Sequence, residues 1–404
     1  IYLGSSHVYS DINPMQLDNI NGQYNFDMAS ASQRLNGSYY LLKEADRYNS
    51  LSHVYLDLYY TTSVKDSMSP DLDPINVAQH WNWQNSDYME NSFNKLEYML
   101  SIAGPEKYVE IFLPFSRYRS KLDNWDYINE ELEAKKSDAY LLYEDHTDYS
   151  DGTYSEYGRQ GFYYSTRVID NRKRMLSKSS GLYDEPMGEK SKEYLCKIIR
   201  YCQKRDIPIT LFATPVNDFQ LVNLGNYDNY INEVKEVADK YGVDFYDFNL
   251  AKSEYFSVNI DEHYRDFTHL NAMGAEVFTN FFAKVVSGTS EENQKYFYSS
   301  YSEKLQNEPA IVYGLYYKDS IAEEDIQSAE DIEKSIRTLW VASNKEEGME
   351  YRIIMTPEES GQYTVQDFSE NKEFAIPLDE HGICTIVARM TDDPEDVQTI
   401  EFEY

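Results

Sequence analysis

The sequence predicts an α/β protein built on a doubly wound parallel sheet and followed by a small β-sandwich. Short apolar runs alternate with amphipathic helical patterns over residues 1–60 and 190–287, and strands separated by helices indicate parallel pairing with crossover connections. Between these two parts, residues 61–189 are polar and rich in tyrosine. From residue 308 onward, short strand-like runs are separated by acidic turns, which is typical of a sandwich.

The first 60 residues alternate between strand and helix patterns. An apolar run ends at Gly4, and Pro14 stands near the start of the next helical pattern, where its missing N–H costs nothing. The longer helical pattern that follows repeats apolar residues every three or four positions. We predict strands at 1–4, 24–28 and 53–60, and helices at 13–20 and 32–49.

The same alternation resumes after residue 190. Gly242 follows a helical pattern as a C-cap, and Asn271 precedes the final helical pattern as an N-cap. The elements predicted here are helices at 191–204, 227–241 and after 271, and strands at 208–216 and 243–249. Five strands with crossovers are the layout of a flavodoxin-like doubly wound sheet.

The predicted α/β domain spans residues 1–287 and contains residues 61–189 as a large insertion. We expect this insertion to be mostly helical or irregular, with its clearest helix at 92–102. A polar linker, 288–307, leads to a β-sandwich domain at 308–404, which we interpret as an accessory module. Its strands are predicted at 310–317, 338–342, 351–355, 363–365, 374–376, 384–388 and 399–402.

The composition excludes some classes of partner. Lys and Arg number 37 and Asp and Glu number 70, so the net charge is −33. A surface this acidic repels nucleic acid and anionic lipid headgroups. The chain contains no apolar run of 18 residues that would span a membrane. Because residue 1 already lies in a predicted core strand, we expect an export signal or membrane anchor upstream.

A serine follows the first predicted strand. The segment Gly4-Ser5-Ser6-His7 leaves this strand at the carboxyl edge of the sheet, where α/β proteins bind ligands. A serine on such a turn, with a small residue before it, is placed for nucleophilic attack. The alternative is an ordinary solvated Gly-Ser turn.

A second motif precedes the last helix. Asp266 and His269 stand three residues apart, a spacing that lets the carboxylate accept a hydrogen bond from one ring nitrogen. Alternatively, His269 packs at the helix start and Asp266 caps the loop. The last loop of this fold returns to the edge where the first strand ends, which favours a triad of Ser6, His269 and Asp266.

These two motifs resemble those of the SGNH/GDSL hydrolase superfamily. Gly4-Ser5-Ser6 near the amino terminus and Asp-x-x-His-Leu-Asn-x-x-Gly before the last helix are most similar to its membrane-associated branch of polysaccharide O-acetyltransferases and DltD-like proteins. The resemblance implies Ser6 as nucleophile, His269 as base and Asp266 as its acid partner, without a cofactor. It also implies an extracytoplasmic, membrane-anchored protein that works beside a membrane-bound O-acyltransferase.

The family's other motifs match less closely. Gln33 stands after the second predicted strand, where the family has a glycine whose N–H stabilises the oxyanion, and Ser5 replaces the usual Asp. The family's Asn after the third strand is absent, and Asn217 after the fourth strand is a poor substitute. His7 either lines the site or packs beside it.

The expected activity is acyl transfer from an acyl donor, through an acyl-serine intermediate, to a polysaccharide acceptor. An esterase with the same triad is the enzymatic alternative, and a non-catalytic glycan-binding or assembly protein is another. No metal site is expected, since the acidic segment 144–152 misses the spacing of a calcium loop.

Overall fold

The computed structural model describes most of the chain. It covers residues 1–64, 85–87, 89–102, 109, 113, 124–137, 145–178, 187–321 and 335–404. Among the helices in these ranges, none has both the length and the apolar composition needed to cross a membrane.

The first 287 residues contain a mixture of helices and strands. The strands are β1 (Tyr2–Gly4), β2 (Asp27–Ala29), β3 (Val54–Asp57), β4 (Asp145–Asp148), β5 (Tyr154–Tyr157), β6 (Tyr163–Ser165), β7 (Met175–Ser177), β8 (Ile209–Ala213) and β9 (Asp244–Asp247). The helices are α1 (Ser6–Asp11), α2 (Pro14–Asn21), α3 (Leu35–Tyr48), α4 (Phe93–Ile102), α5 (Trp125–Ala134), α6 (Glu189–Lys204), α7 (Asp218–Asn223), α8 (Tyr227–Tyr241) and α9 (Ala272–Ser287).

Five of these strands form one parallel sheet in the order β2-β1-β3-β8-β9. In the central strand pairs, Tyr2 lies between Asp27 and Tyr55, and Leu56 pairs with Leu211. The predicted five-stranded parallel sheet is therefore confirmed. Its strands end at one edge, so the loops that follow β1, β3, β8 and β9 share that edge.

Alternate residues of the strands bury opposite faces of this sheet. Leu3, Leu56 and Leu211 belong to one hydrophobic cluster with side chains from α3, α6 and α8. Tyr2 and Phe212 belong to a second cluster, which α1, α2 and α9 fill. Helices thus cover both faces, as a doubly wound sheet requires.

The insertion differs from the prediction of a mostly helical or irregular segment. Helix α4 lies where the sequence predicts one, but β4, β5 and β6 form a three-stranded antiparallel sheet. The turn between β4 and β5 contains Gly152, whose φ is +83°. Their sequences, DHTD, YSEY and YYS, contain no apolar residue other than tyrosine and show no regular alternation of apolar and polar residues. Such short, polar segments carry no strand signal in the sequence, and the helical interpretation is wrong here.

The strands after residue 308 form two sheets. They are β10 (Val312–Asp319), β11 (Ile336–Ser343), β12 (Met349–Pro357), β13 (Tyr363–Ser369), β14 (Glu373–Pro377), β15 (Gly382–Met390) and β16 (Val397–Glu403). Their orders are β14-β11-β10-β7 and β13-β12-β15-β16. The sheets share one hydrophobic cluster, to which Leu315 and Val341 contribute from the first and Ile353 and Ile386 from the second. Each predicted strand overlaps an observed one.

Strand β7 joins the two parts of the chain, because it pairs in parallel with β10, Met175 opposite Leu315. The sequence does not predict this pairing, since a strand of three residues has no period to recognise. Two short helices, α10 (Ser290–Asn293) and α11 (Tyr301–Asn307), lie in the predicted polar linker. The domain boundaries stay a prediction.

Candidate active site

Ser6 begins α1 directly after β1, at the carboxyl edge of the parallel sheet. Ser5 caps this helix: its Oγ accepts a hydrogen bond from the His7 backbone N–H at 3.5 Å. Gly4 permits the close turn, because a Cβ at this position would lie 2.8 Å from the Cβ of Asp57. The six-residue helix is too short for its period to be read from sequence, so only the structure reveals it.

The loop that carries Asp266 and His269 is shaped by its own hydrogen bonds. The Arg265 N–H donates to the His269 carbonyl at 3.1 Å. Asp266 Oδ1 accepts the backbone N–H groups of Thr268 and His269, each at 2.9 Å. Asp266 is therefore a loop cap, as one interpretation predicts, and it also contacts the histidine ring.

Contacts at the end of this loop tie it to α1 and α9. The Leu270 N–H donates to Oδ1 of the fully buried Asp11 on α1, at 3.0 Å. Asn271 caps α9 by accepting the Gly274 N–H at 3.0 Å, as the sequence predicts. The loop consequently has a defined position relative to the helix that Ser6 begins.

The structure brings Ser6, His269 and Asp266 together. Ser6 Oγ lies 2.7 Å from His269 Nε2, although 263 positions separate the two residues in sequence. On the other side of the ring, Nδ1 lies 2.9 Å from Asp266 Oδ2 and 3.0 Å from Oδ1. These distances allow His269 to accept the serine proton while the carboxylate orients the ring.

The surroundings of Asp266 keep it ionised. Burial alone would raise its pKa, but the His269 ring and the N–H groups of Thr268 and His269 together hold the pKa of this carboxyl well below its usual range. Arg265 Nε lies 3.6 Å from Asp266 Oδ2. A carboxylate that stays charged can stabilise the imidazolium that forms when His269 takes a proton.

His7 supports the ring of His269 from below the surface. Its side chain is 1% exposed, and its ring stacks on that of His269 with centroids 4.4 Å apart and contacts Tyr59 at 3.7 Å. Ser5 Oγ lies 3.3 Å from His7 Nδ1. Burial, and then the neighbouring His269, lowers the pKa of His7 well below its ordinary value, so this ring is neutral. Of the two sequence interpretations, the structure thus favours packing.

Gln33, the predicted second oxyanion donor, is engaged elsewhere. Its backbone N–H closes a turn by donating to the Ser30 carbonyl at 3.1 Å, and its amide nitrogen donates to the Met28 carbonyl and Ser38 Oγ. The N–H assigned to the oxyanion is therefore taken up by the turn after β2. Asn217 caps α7 instead, accepting the Phe219 N–H at 2.9 Å.

The backbone N–H of Ser6 is a better-placed donor. Across the described ranges it has no hydrogen-bond acceptor, because it belongs to the first residue of α1. A tetrahedral intermediate on Ser6 Oγ would develop its negative charge beside this N–H.

In the same described part of the chain, no three His, Cys, Asp or Glu side chains form a group that could hold a metal ion.

Comparisons of the chain with known proteins give no match among family models, curated proteins or solved structures.

A buried carboxyl behind Gly4 gives a prediction on stability. Asp57 ends β3 and accepts hydrogen bonds from the Thr214 N–H at 3.1 Å and hydroxyl at 3.3 Å. Burial raises its pKa from 3.8 to about 7. A raised native pKa means that the folded protein holds a proton that the unfolded chain has lost, so stability falls as pH rises from about 4 to about 7.

We expect Asp57→Asn to remove this contribution. The variant should gain about 1–3 kcal/mol of unfolding free energy relative to wild type between pH 5 and pH 8, since each pKa unit corresponds to about 1.4 kcal/mol. Urea denaturation across this pH range measures the difference, with the exposed Asp239→Asn as the matched control. If the difference in unfolding free energy between the two proteins does not change with pH, Asp57 is ionised in the folded protein throughout this range.

Proposed function

We propose that this chain is a serine-dependent O-acyltransferase of the SGNH type, which modifies an exported polysaccharide through an acyl-serine intermediate. The observation that carries the proposal is the contact of Ser6 Oγ with His269 Nε2 at 2.7 Å, together with Asp266 at 2.9 Å behind the ring. A serine hydroxyl hydrogen-bonded to an imidazole, which is itself hydrogen-bonded to a carboxylate, is the arrangement that activates a serine for acyl chemistry.

The topology supports the SGNH assignment. The strand order β2-β1-β3-β8-β9 is that of flavodoxin-like sheets. The nucleophile follows the first strand, and the acid and base precede the last helix of the α/β part, as the resemblance implies.

In the first half-reaction, Ser6 Oγ attacks the carbonyl carbon of an acyl ester or thioester while His269 Nε2 takes the hydroxyl proton. The carbonyl oxygen becomes an oxyanion, which the Ser6 N–H stabilises. When the tetrahedral intermediate collapses, the bond to the leaving group breaks, and His269 returns the proton to the leaving oxygen or sulfur. The product is acyl-Ser6.

In the second half-reaction, a sugar hydroxyl attacks the acyl carbon and His269 removes its proton. Collapse of this intermediate breaks the bond to Ser6 Oγ, which regains the proton from His269. The sugar leaves as an ester and the enzyme is restored. In this proposal a membrane-bound O-acyltransferase supplies the acyl donor, and the protein works outside the cytoplasm, anchored to the cell membrane.

Labelling and product analysis test this function. A fluorophosphonate probe is expected to modify Ser6, as mapped by digestion and mass spectrometry. With p-nitrophenyl acetate as donor and cellohexaose as acceptor, an acyltransferase yields acetylated hexasaccharide, whereas an esterase yields free acetate alone. Absence of both label and acyl release would contradict the proposal and favour a non-catalytic binding protein.

A further inference from the structure

The geometry points to a stacking site for the acceptor: Tyr9, Tyr157 and Tyr163, here called the tyrosine platform, bind the sugar rings of an uncharged polysaccharide beside Ser6. This inference deepens the proposed function and rests on it, because it names the acceptor class and the residues that hold it.

One member of the platform, Tyr9, lies within one helical turn of Ser6. Tyr9 follows Ser6 by three positions on α1, and residues at this spacing share a face of a helix. The ring centroid of Tyr9 lies 6.3 Å from that of Tyr157 and 6.1 Å from that of Tyr163. The latter two rings are 5.0 Å apart. The three rings therefore form one aromatic cluster, tilted or edge-on to one another, and Tyr9 joins this cluster to the helix that Ser6 begins.

Pairing of β5 with β6 places two of the rings side by side. Tyr157 lies directly opposite Tyr163 in this ladder, and two residues along, the buried Ser155 lies opposite the buried Ser165 on the same face. The two tyrosines therefore lie at the more exposed end of this face, and the two serines lie at its buried end. Tyr157 remains 43% exposed, so part of this residue faces solvent.

Arg265 connects the platform to the triad. Its guanidinium lies 4.6 Å from the ring centroid of Tyr163, one of its nitrogens donates to Ser10 Oγ at 3.0 Å, and its Nε is 3.6 Å from Asp266 Oδ2. The Arg265 side chain is only 13% exposed. Arg265 also hydrogen-bonds the side chain of Tyr9. Its charge therefore faces Asp266 and the tyrosines, and the platform offers aromatic rings to a ligand rather than an unpaired cation.

The loop between β5 and β6 is docked on the α/β part. Gln160 Nε2 donates to Asp18 Oδ2 at 2.9 Å and to the Asn25 carbonyl at 2.6 Å. Gly161 has a φ of +86° and packs against the backbone of Asp27, where a side chain would not fit. These contacts position Tyr157 and Tyr163 before any ligand binds, so little ordering cost is expected on binding.

The chemistry of the platform favours an uncharged sugar chain. A phenol ring packs against the C–H face of a pyranose, and its hydroxyl bonds with sugar hydroxyls, because tyrosine joins an apolar ring to a polar group. Nucleic acid bases also stack on such rings, but the net charge of −33 repels phosphates. The same repulsion disfavours polyanionic glycans.

Binding to catalytically silent protein tests the inference. In a Ser6→Ala background, calorimetry with cellohexaose, N-acetylchitohexaose and maltohexaose is compared with hexagalacturonate as a polyanionic probe. We expect at least one neutral hexasaccharide to bind, and the added pair Tyr157→Ala and Tyr163→Ala to weaken it by roughly tenfold or more. Tyr363→Ala is the matched control, since Tyr363 is 40% exposed in β13, and it should change affinity less than twofold.

Three results would overturn the platform: no binding of any neutral hexasaccharide, unchanged affinity in the double variant, or equal or tighter binding of hexagalacturonate. If the double variant unfolds, the single Tyr157→Ala change gives the same test, because this residue is partly exposed. Labelling of Ser6 by fluorophosphonate reports separately on the proposed function. If the probe labels Ser6 but the platform variants bind sugar as well as the parent protein, only the platform inference is wrong. If sugar binding depends on the platform but the probe does not label Ser6, only the proposed acyl chemistry is wrong.

Discussion

Ser6→Ala is expected to lower the rate of acyl release from p-nitrophenyl acetate by about a thousandfold or more. The methyl side chain cannot form the acyl-enzyme, and His269 Nε2 loses the hydroxyl that lies 2.7 Å away. Because Ser6 begins α1 and its side chain caps no helix, the fold should be retained. Stopped-flow measurement of nitrophenol release gives both the burst and the steady-state rate, and both should be lost.

The chain offers a matched control for this substitution. Ser290 is also the first residue of a helix, α10, and its Oγ donates to Asp244 at the start of β9. Since β9 runs parallel to β1, this position lies at the opposite edge of the sheet. Ser290→Ala should therefore leave nitrophenol release within about twofold of wild type. If Ser6→Ala also released nitrophenol at a rate within about twofold of wild type, the triad would have no part in the reaction.

Asp266→Asn is expected to lower kcat by roughly a thousandfold to ten-thousandfold while the loop keeps its shape. An asparagine Oδ1 still accepts the N–H groups of Thr268 and His269, which hold the loop at 2.9 Å each. Its amide group, however, donates to His269 Nδ1 and so forces the ring proton onto Nε2. In that tautomer His269 cannot accept the proton of Ser6.

Two measurements distinguish this effect from unfolding. The melting temperature of Asp266→Asn should stay close to that of wild type while kcat falls. Asp148→Asn is the matched control, because Asp148 Oδ1 lies 2.8 Å from His146 Nε2 in a second histidine–carboxylate pair that is exposed. Equal decreases in kcat in the two variants would mean that Asp266 contributes only through its negative charge and not through its contact with His269. Retained kcat in Asp266→Asn would contradict its assigned role.

Much of the fold could be predicted because its signals are local. The helix over Tyr227–Tyr241 has the predicted bounds, and Gly242 ends it in a left-handed conformation with a φ of +64°. Asn271 caps α9 as expected. In contrast, the strands β4, β5 and β6 are missed, since each is at most four residues long and polar on both faces. Such strands are stabilised by their neighbours rather than by their own composition.

The candidate site shows the same division. Ser6, Asp266 and His269 could be found from motif spacing and from the rule that ligands bind where parallel strands end. The turn that occupies the Gln33 N–H could not be predicted, because it depends on how the chain leaves β2. Likewise, the stack of His7 on His269 joins residues that no local pattern relates.

By itself, the sequence determined the periodic elements, the caps of their helices and the residue types of a hydroxyl–imidazole–carboxylate group. Only the tertiary structure decided that Ser6 and His269 meet, that Arg265 bridges Asp266 to Tyr163, and that the rings of the platform contact one another. Helix and strand periods arise from backbone geometry over a few residues, so a short segment of sequence is enough to recognise them. Contacts across hundreds of positions arise from the packing of helices on both faces of the sheet, which no single segment encodes.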